Sequence, residues 1–139
     1  MRLYLDANVV ISVLNKEYPL FTYSSRVMSL ADRPGFEVFT SPLTLAIAFY
    51  FASKKSGEVS AKKKIDLLTN RIRISTINEA ITKKALENPQ AHDFEDGLQY
   101  YSAMNQACEV IITEDMSDFY FSEIEVLGCE EFMSHYFDR

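Results

Sequence analysis

Short apolar runs of the kind that form buried strands alternate with helix-patterned segments along almost the whole chain, and few architectures accept that alternation. Arg2-Leu3-Tyr4-Leu5 reads as a short buried strand, and residues 8–15 read as a helix packed through Val9, Val10, Ile11, Val13 and Leu14. A second helix is expected at 21–31, and Phe36-Glu37-Val38-Phe39 has the pattern of a strand. Ser41-Pro42 supplies a cap and a first-turn proline. The helix they open, about 42–54, is apolar nearly all round and is expected to be central. Residues 60–69 read as helix and 72–76 as strand, and Asn78 caps a helix that ends at Asn88-Pro89. Asp93 opens a long helix to about residue 107, with Phe94, Leu98, Tyr101 and Cys108 as its apolar face. Glu109-Val110-Ile111-Ile112-Thr113 is a strand, and a last strand near 124–127 leads into a closing helix at about 129–137. Strands separated by helices imply parallel βαβ units and a helix-covered sheet. Ligands of such sheets bind outside the carboxyl ends of the strands.

The remaining bulk properties narrow the class. A chain of 139 residues, 47% apolar with four Gly and four Pro, can fill one core without disulfides or structural zinc. The two cysteines, Cys108 and Cys129, form no C-x-x-C pair and suit a reducing compartment. With His92 and His135 the only histidines, a His-rich zinc site is excluded. The chain runs directly into a strand pattern without a charged leader, and its longest apolar stretch, Pro42 to Ala52, is interrupted by Thr44 and far short of the ~20 residues of a membrane span. The expectation is a soluble cytoplasmic protein that does not contact a membrane.

Net charge is −6, but it is unevenly spread. Residues 1–91 carry 13 Lys/Arg and 8 Asp/Glu, whereas residues 92–139 carry 1 and 12. Lys54, Lys55, Lys62, Lys63 and Lys64 lie close together in sequence. Such a run is a solvated helix surface in most chains; beside an acidic centre it can be a landing strip for a polyanion such as RNA.

The acidic positions carry the chemistry. Asp6 directly follows the first strand, Asp115 and Asp118 follow the strand ending at Thr113, and Asp93 and Asp96 share one face of a helix's first turn. Three segments thus send carboxylates towards one edge of the sheet. Crowded carboxylates repel and raise one another's pKa, so the cluster calls for a cation. Magnesium suits it, being a hard ion that takes oxygen ligands and retains water that can be aimed at a phosphate. The reaction implied is attack of metal-activated water on a phosphodiester. Taken singly, Asp93 and Asp96 also read as cap and helix-dipole residues, and Asp115 and Asp118 as turn residues. Asp6 is harder to explain away, because it sits between two apolar segments and would be costly to bury unpaired. Gly97, inside a helix, points to close approach of backbone or ligand.

The same residues carry a resemblance. Leu5-Asp6-Ala7-Asn8-Val9-Val10 resembles the opening motif of the PIN-domain family, the nuclease fold of VapC-type toxins. Ser41-Pro42-Leu43-Thr44-Leu45-Ala46 resembles its second block, Asp93-Phe94-Glu95-Asp96-Gly97-Leu98 its third, and Ile112 to Phe119 its fourth. The likeness spans nearly the whole chain in the right order. It implies a single PIN-like domain over residues 1–139, a three-layer α/β/α fold with a parallel sheet flanked by helices. It also implies Mg²⁺- or Mn²⁺-dependent endoribonuclease activity on RNA, frequent homodimers and an antitoxin partner. It maps catalysis and metal ligation onto Asp6, Asp96 and Asp115, with Asn8, Asp93, Thr113 and Asp118 in support. One position departs: Ile47 stands where the second block carries an acidic residue or Asn, and isoleucine cannot ligate a metal.

Two other classes compete. A PIN-like module that binds RNA or a protein partner without cutting fits Ile47 and the acidic balance. An aspartate-nucleophile phosphatase of the haloacid dehalogenase type would need an acid at position 8 and a lysine late in the chain. Here Asn8 replaces the acid and Lys84 is the last lysine.

Overall fold

The computed structural model describes residues 1–138. Five strands form one sheet: β1 (Arg2–Leu5), β2 (Glu37–Thr40), β3 (Arg73–Ile74), β4 (Val110–Ile112) and β5 (Glu125–Leu127). All pair in parallel, in the order β3-β2-β1-β4-β5. Seven helices connect and cover them: α1 (Ala7–Asn15), α2 (Phe21–Ser29), α3 (Pro42–Ser56), α4 (Glu58–Thr69), α5 (Glu79–Glu87), α6 (Phe94–Asn105) and α7 (Cys129–Tyr136). Short 3₁₀ turns occupy Leu30–Asp32 and Met116–Phe119.

The pleat of β1 sorts the core into two layers. Leu3 and Leu5 face one side, with Val38, Val110 and Ile112, against apolar residues of α1, α2, α3, α4 and α7. Tyr4 faces the other with Phe39 and Ile111, against Tyr100 and Ala103 of α6 and Phe119. The result is a helix-covered parallel sheet, as the alternation implies, in the three-layer α/β/α form that the resemblance implies. The chain first builds outward from β1 to β2 and β3, then returns to add β4 and β5 on the opposite side. The topological switch therefore lies between β1 and β4, and their carboxyl ends open the crevice where ligands of such sheets bind.

Three expectations need correction. α3 is not central: it buries only Thr44, Ala48 and Ala52, while Tyr50 is 53% and Phe51 45% exposed. Small residues let α3 lie close on the core, and its aromatic residues fall on the outer side. α6 buries Gly97, Leu98, Gln99, Tyr100, Ser102 and Ala103, leaving Phe94 largely outside. It ends at Asn105, because Ala107 takes a left-handed φ of 54°. The strand expected at 72–76 is only Arg73–Ile74. Gly97 is explained by packing: a Cβ there would lie 3.1 Å from Ala85 Cβ, where α5 crosses α6. Cys108 and Cys129 are buried free thiols, and burial pushes both up, Cys108 to about 12. No helix of the described residues is long and apolar enough to cross a membrane.

Candidate functional site

The switch-point crevice is a cleft of about 410 Å³ lined by Asp6, Asn8, Asp93, Glu95, Asp96, Gln99, Asp115 and Asp118, with Ile11, Ile47 and Phe51. Its acidic residues come from three places: the end of β1, the start of α6 and the loop after β4. Among the described residues, no lysine or arginine lines it.

Asp6 is held from every side. Its backbone N–H extends the β1–β4 ladder by donating to Ile112 O at 3.0 Å. It caps α1, Oδ1 accepting from Ala7 N at 2.6 Å, and is only 6% exposed. Oδ2 accepts from the buried Thr113 hydroxyl at 2.7 Å, and Thr113 Oγ1 in turn accepts from Asp115 N at 3.0 Å. The Asn8 amide nitrogen reaches Asp115 Oδ2 at 3.0 Å, with Thr113 Oγ1 and Asp6 Oδ2 at 3.3 and 3.4 Å. Asn8 Oδ1 accepts from Glu114 N at 3.2 Å. Asp6, Asn8, Thr113 and Asp115 thus form one hydrogen-bonded unit across the switch point. On the other wall, Asp93 caps α6 by accepting from Asp96 N at 3.1 Å. Its cap role and its place in the cleft coexist. Asp118 lines the cleft from the 3₁₀ turn after Asp115.

The electrostatics follow from this crowding. Burial pushes the Asp6 carboxyl above its ordinary range, Asp115 adds to the rise, and hydrogen bonds from Thr113, Ala7 N and Gln99 oppose it. Asp96 is pushed up to about 7, first by desolvation and then by Asp93, Asp118, Asp6 and Glu95. A partly protonated Asp96 is the expected response of a carboxyl among carboxylates with no cation. Oxygen-rich and hard, this donor set suits Mg²⁺ or Mn²⁺. Among the described residues, no three acids, histidines or cysteines already stand close enough to enclose a metal ion by themselves.

A buried polar group beneath the cleft escapes sequence reading. Tyr4 Oη lies 2.9 Å from Ser41 Oγ, 3.1 Å from Thr44 Oγ1 and 3.2 Å from Gln99 Oε1, and the Thr44 hydroxyl donates to Gln99 Oε1 at 3.1 Å. With its oxygen so engaged, Gln99 is left to donate its amide N–H towards Asp6. It therefore ties Asp6 to β1, α3 and α6 together. The available signal is its position, three residues after Asp96 and so on the same helix face.

Ile47 lies where the departure predicts, on the early turns of α3 and lining the cleft. The five lysines do not line it. Lys55 donates to the carbonyl of Asn15, at the opposite end of α1 from Asp6. Lys64 donates to Ser56 Oγ and borders a separate recess with Lys16 and Arg71, while Lys62 and Lys63 are exposed on α4.

Comparison with known proteins extends this picture. Residues 2–117 match the family model described as PIN domain. The chain is 29% identical over 135 residues to Ribonuclease VapC1 of Aquifex aeolicus, covering 94% of this chain and 92% of that one. Among solved structures it is similar to VapBC-1 from nontypeable Haemophilus influenzae, at 20% identity and a TM-score of 0.71, covering 94% of this chain and 99% of the other. It is also similar to VapC20 of Mycobacterium tuberculosis, described as a Sarcin-Ricin loop cleaving toxin, at 15% identity and a TM-score of 0.66, covering 88% and 98% of the two chains. At those identities the structural likeness establishes the fold.

Proposed function

The chain belongs to the PIN-domain family, and from that premise we propose that it is a divalent-metal-dependent endoribonuclease of VapC type, the toxin of a toxin–antitoxin pair. The observation that carries the reading is the meeting of Asp6, Asp96 and Asp115 in one cleft with no basic residue among the described ones to neutralise them. Its similarity to Ribonuclease VapC1 and to a VapBC structure supports ribonuclease chemistry and an antitoxin partner.

Asp6, Asp96 and Asp115 would hold Mg²⁺ or Mn²⁺. Magnesium keeps several of its waters, so the three carboxylates need not all touch the ion. Such an ion supplies an acidified water and neutralises charge on the phosphate and its leaving oxygen. The protein's part is orientation. Thr113, Asn8 and the Ala7 N–H fix both oxygens of Asp6, and Asn8 and Thr113 set Asp115 relative to it. Gln99 holds Asp6 from below through hydroxyls buried under the cleft. Asp96, its carboxyl pushed up to about 7 and so only partly ionised near neutrality without metal, would give up its remaining proton as the cation binds. Asp93 and Asp118 add negative potential at the rim.

A second reading, a PIN-like module that binds RNA or a protein partner without cutting, draws on Ile47 and on the spacing of the acids. Incubation of single-stranded RNA with the parent and with Asp6→Asn separates the two. The nuclease reading expects cleavage that needs Mg²⁺ or Mn²⁺, stops with chelator and is lost in the variant. Intact RNA under all conditions, bound with undiminished affinity by both proteins, would establish the non-cutting module.

A further inference from the structure

Part of the cleft lining is apolar and has no role in the hydrolytic reading. Besides the carboxylates, α3 contributes Ile47 and, one turn on, Phe51 to that lining, and α1 contributes Ile11. Phe51 is 45% exposed although its residue type favours burial. Its ring packs against that of Tyr50, with centroids 5.2 Å apart and planes at 84°. Tyr50 is itself covered by Lys54 Nζ, 4.5 Å from its ring centre. A half-exposed aromatic ring therefore stands in the lining of the carboxylate cleft.

Resting on the nuclease reading above, we propose that Phe51 is the stacking platform for a nucleobase next to the scissile phosphate. Two observations lead there. Among the described residues the cleft has six carboxylates and no basic side chain, so on the nuclease reading a bound cation is all that attracts the phosphate backbone at this point. Base stacking on an aromatic ring is indifferent to that charge. In a duplex the base faces are already covered by their neighbours, so a face-on platform selects unpaired nucleotides. Ile47 belongs to the same apolar lining: where an acid would extend the carboxylate cluster, isoleucine extends the apolar surface along which a base can lie. Lys54, three residues beyond Phe51, holds a cation over the adjoining Tyr50 ring. It contributes a single phosphate contact, and the salt dependence of binding is correspondingly shallow, with a log–log slope of about −0.7.

The test uses the full chain carrying Asp6→Asn, to suppress cleavage, with and without Phe51→Ala or Phe51→Trp. The probes are 12-nucleotide RNA single strands of several base compositions, each with one 2-aminopurine, and the same strands in duplex. Binding by the Phe51 protein quenches the 2-aminopurine and prefers single strand to duplex. Phe51→Ala weakens single-strand binding about tenfold and abolishes the quench; Phe51→Trp restores both. Because the ring is half outside the core, thermal melting is unchanged in either variant. Equal affinity in Phe51→Ala, or duplex bound as tightly as single strand, overturns the proposal. So does sedimentation in which Phe51→Ala converts a dimer to a monomer with RNA affinity unmoved, since the face then belongs to a second copy. If the proposal fails while the parent still cleaves RNA with metal, the nuclease reading stands alone. If the parent neither binds nor cleaves any strand, both fall together.

Discussion

The molecule has two dense charge regions, and they behave differently. The lysines of α3 and α4 are consecutive or nearly so in sequence, mostly exposed, and engage local oxygens such as Asn15 O and Ser56 Oγ. The aspartates are scattered from residue 6 to residue 118, yet the parallel topology gathers them at the β1–β4 switch, where burial and repulsion push the Asp6 and Asp96 carboxyls above their ordinary range. Density along the chain is thus a poor guide to function here. Position relative to strand ends is a good one, because the sheet's topology converts it into a place.

That difference can be broken or sharpened by substitution. The largest effect is expected in the hydrogen-bonded unit around Asp6. Asn8→Ala removes the amide that joins Asp6 to Asp115, and metal affinity or cleavage should fall by roughly 10–100-fold, as for other residues that orient ligands. Calorimetric Mn²⁺ titration and RNA cleavage both measure it; a loss below twofold would mean that the network does not organise the site.

Ile47→Glu comes next. Ile47 is half-buried at the cleft rather than enclosed in the core, so a carboxylate there meets solvent and the other acids. With chelator the variant should melt lower than the parent, and saturating Mg²⁺ should restore it, with metal bound more tightly. A variant destabilised equally with and without metal would place residue 47 outside the ion's reach.

A smaller effect is the pH response of the metal-free protein. Asp96, raised to about 7 from an ordinary 3.8, keeps its proton in the fold at pH values where the unfolded chain has lost it. Between about pH 4 and 7 the folded state binds more protons, so stability is highest at the acidic side of that window and declines as pH rises through it. Asp6, shifted the same way, adds to the trend. Asp96→Asn should flatten the decline in melting curves taken with chelator, and an unchanged slope would assign the trend to other groups.

The smallest effect belongs to the other charge region. Replacing Lys62, Lys63 and Lys64 together with Ala should change RNA affinity by less than about twofold, since none of them lines the cleft and solvated charges contribute little at a distance. A tenfold loss would show that RNA extends across α4.

Much of this was legible in sequence because it depends on local pattern. The strand runs at β1 and β4, the Ser41 and Asp93 caps, and the aspartates just beyond strand ends all follow from neighbours within a few residues. What escaped depends on which side of an element meets the core. α3 is apolar on all sides, so its composition cannot say that Thr44, Ala48 and Ala52 turn inward while Tyr50 and Phe51 stay out. Gln99 and Tyr4 look ordinary in sequence, and only their burial beneath Asp6 makes them a support. Gly97 was legible as a close approach, but not as the approach of α5.

The central claim is that the gathered aspartates form a site for a divalent cation, and melting of the parent and Asp6→Asn across a Mg²⁺ and Mn²⁺ titration tests it most directly. The account predicts a melting temperature that climbs with metal in the parent, as binding to the folded state alone requires, and a rise mostly lost in the variant. An equal rise in both proteins, or none in the parent, would contradict it.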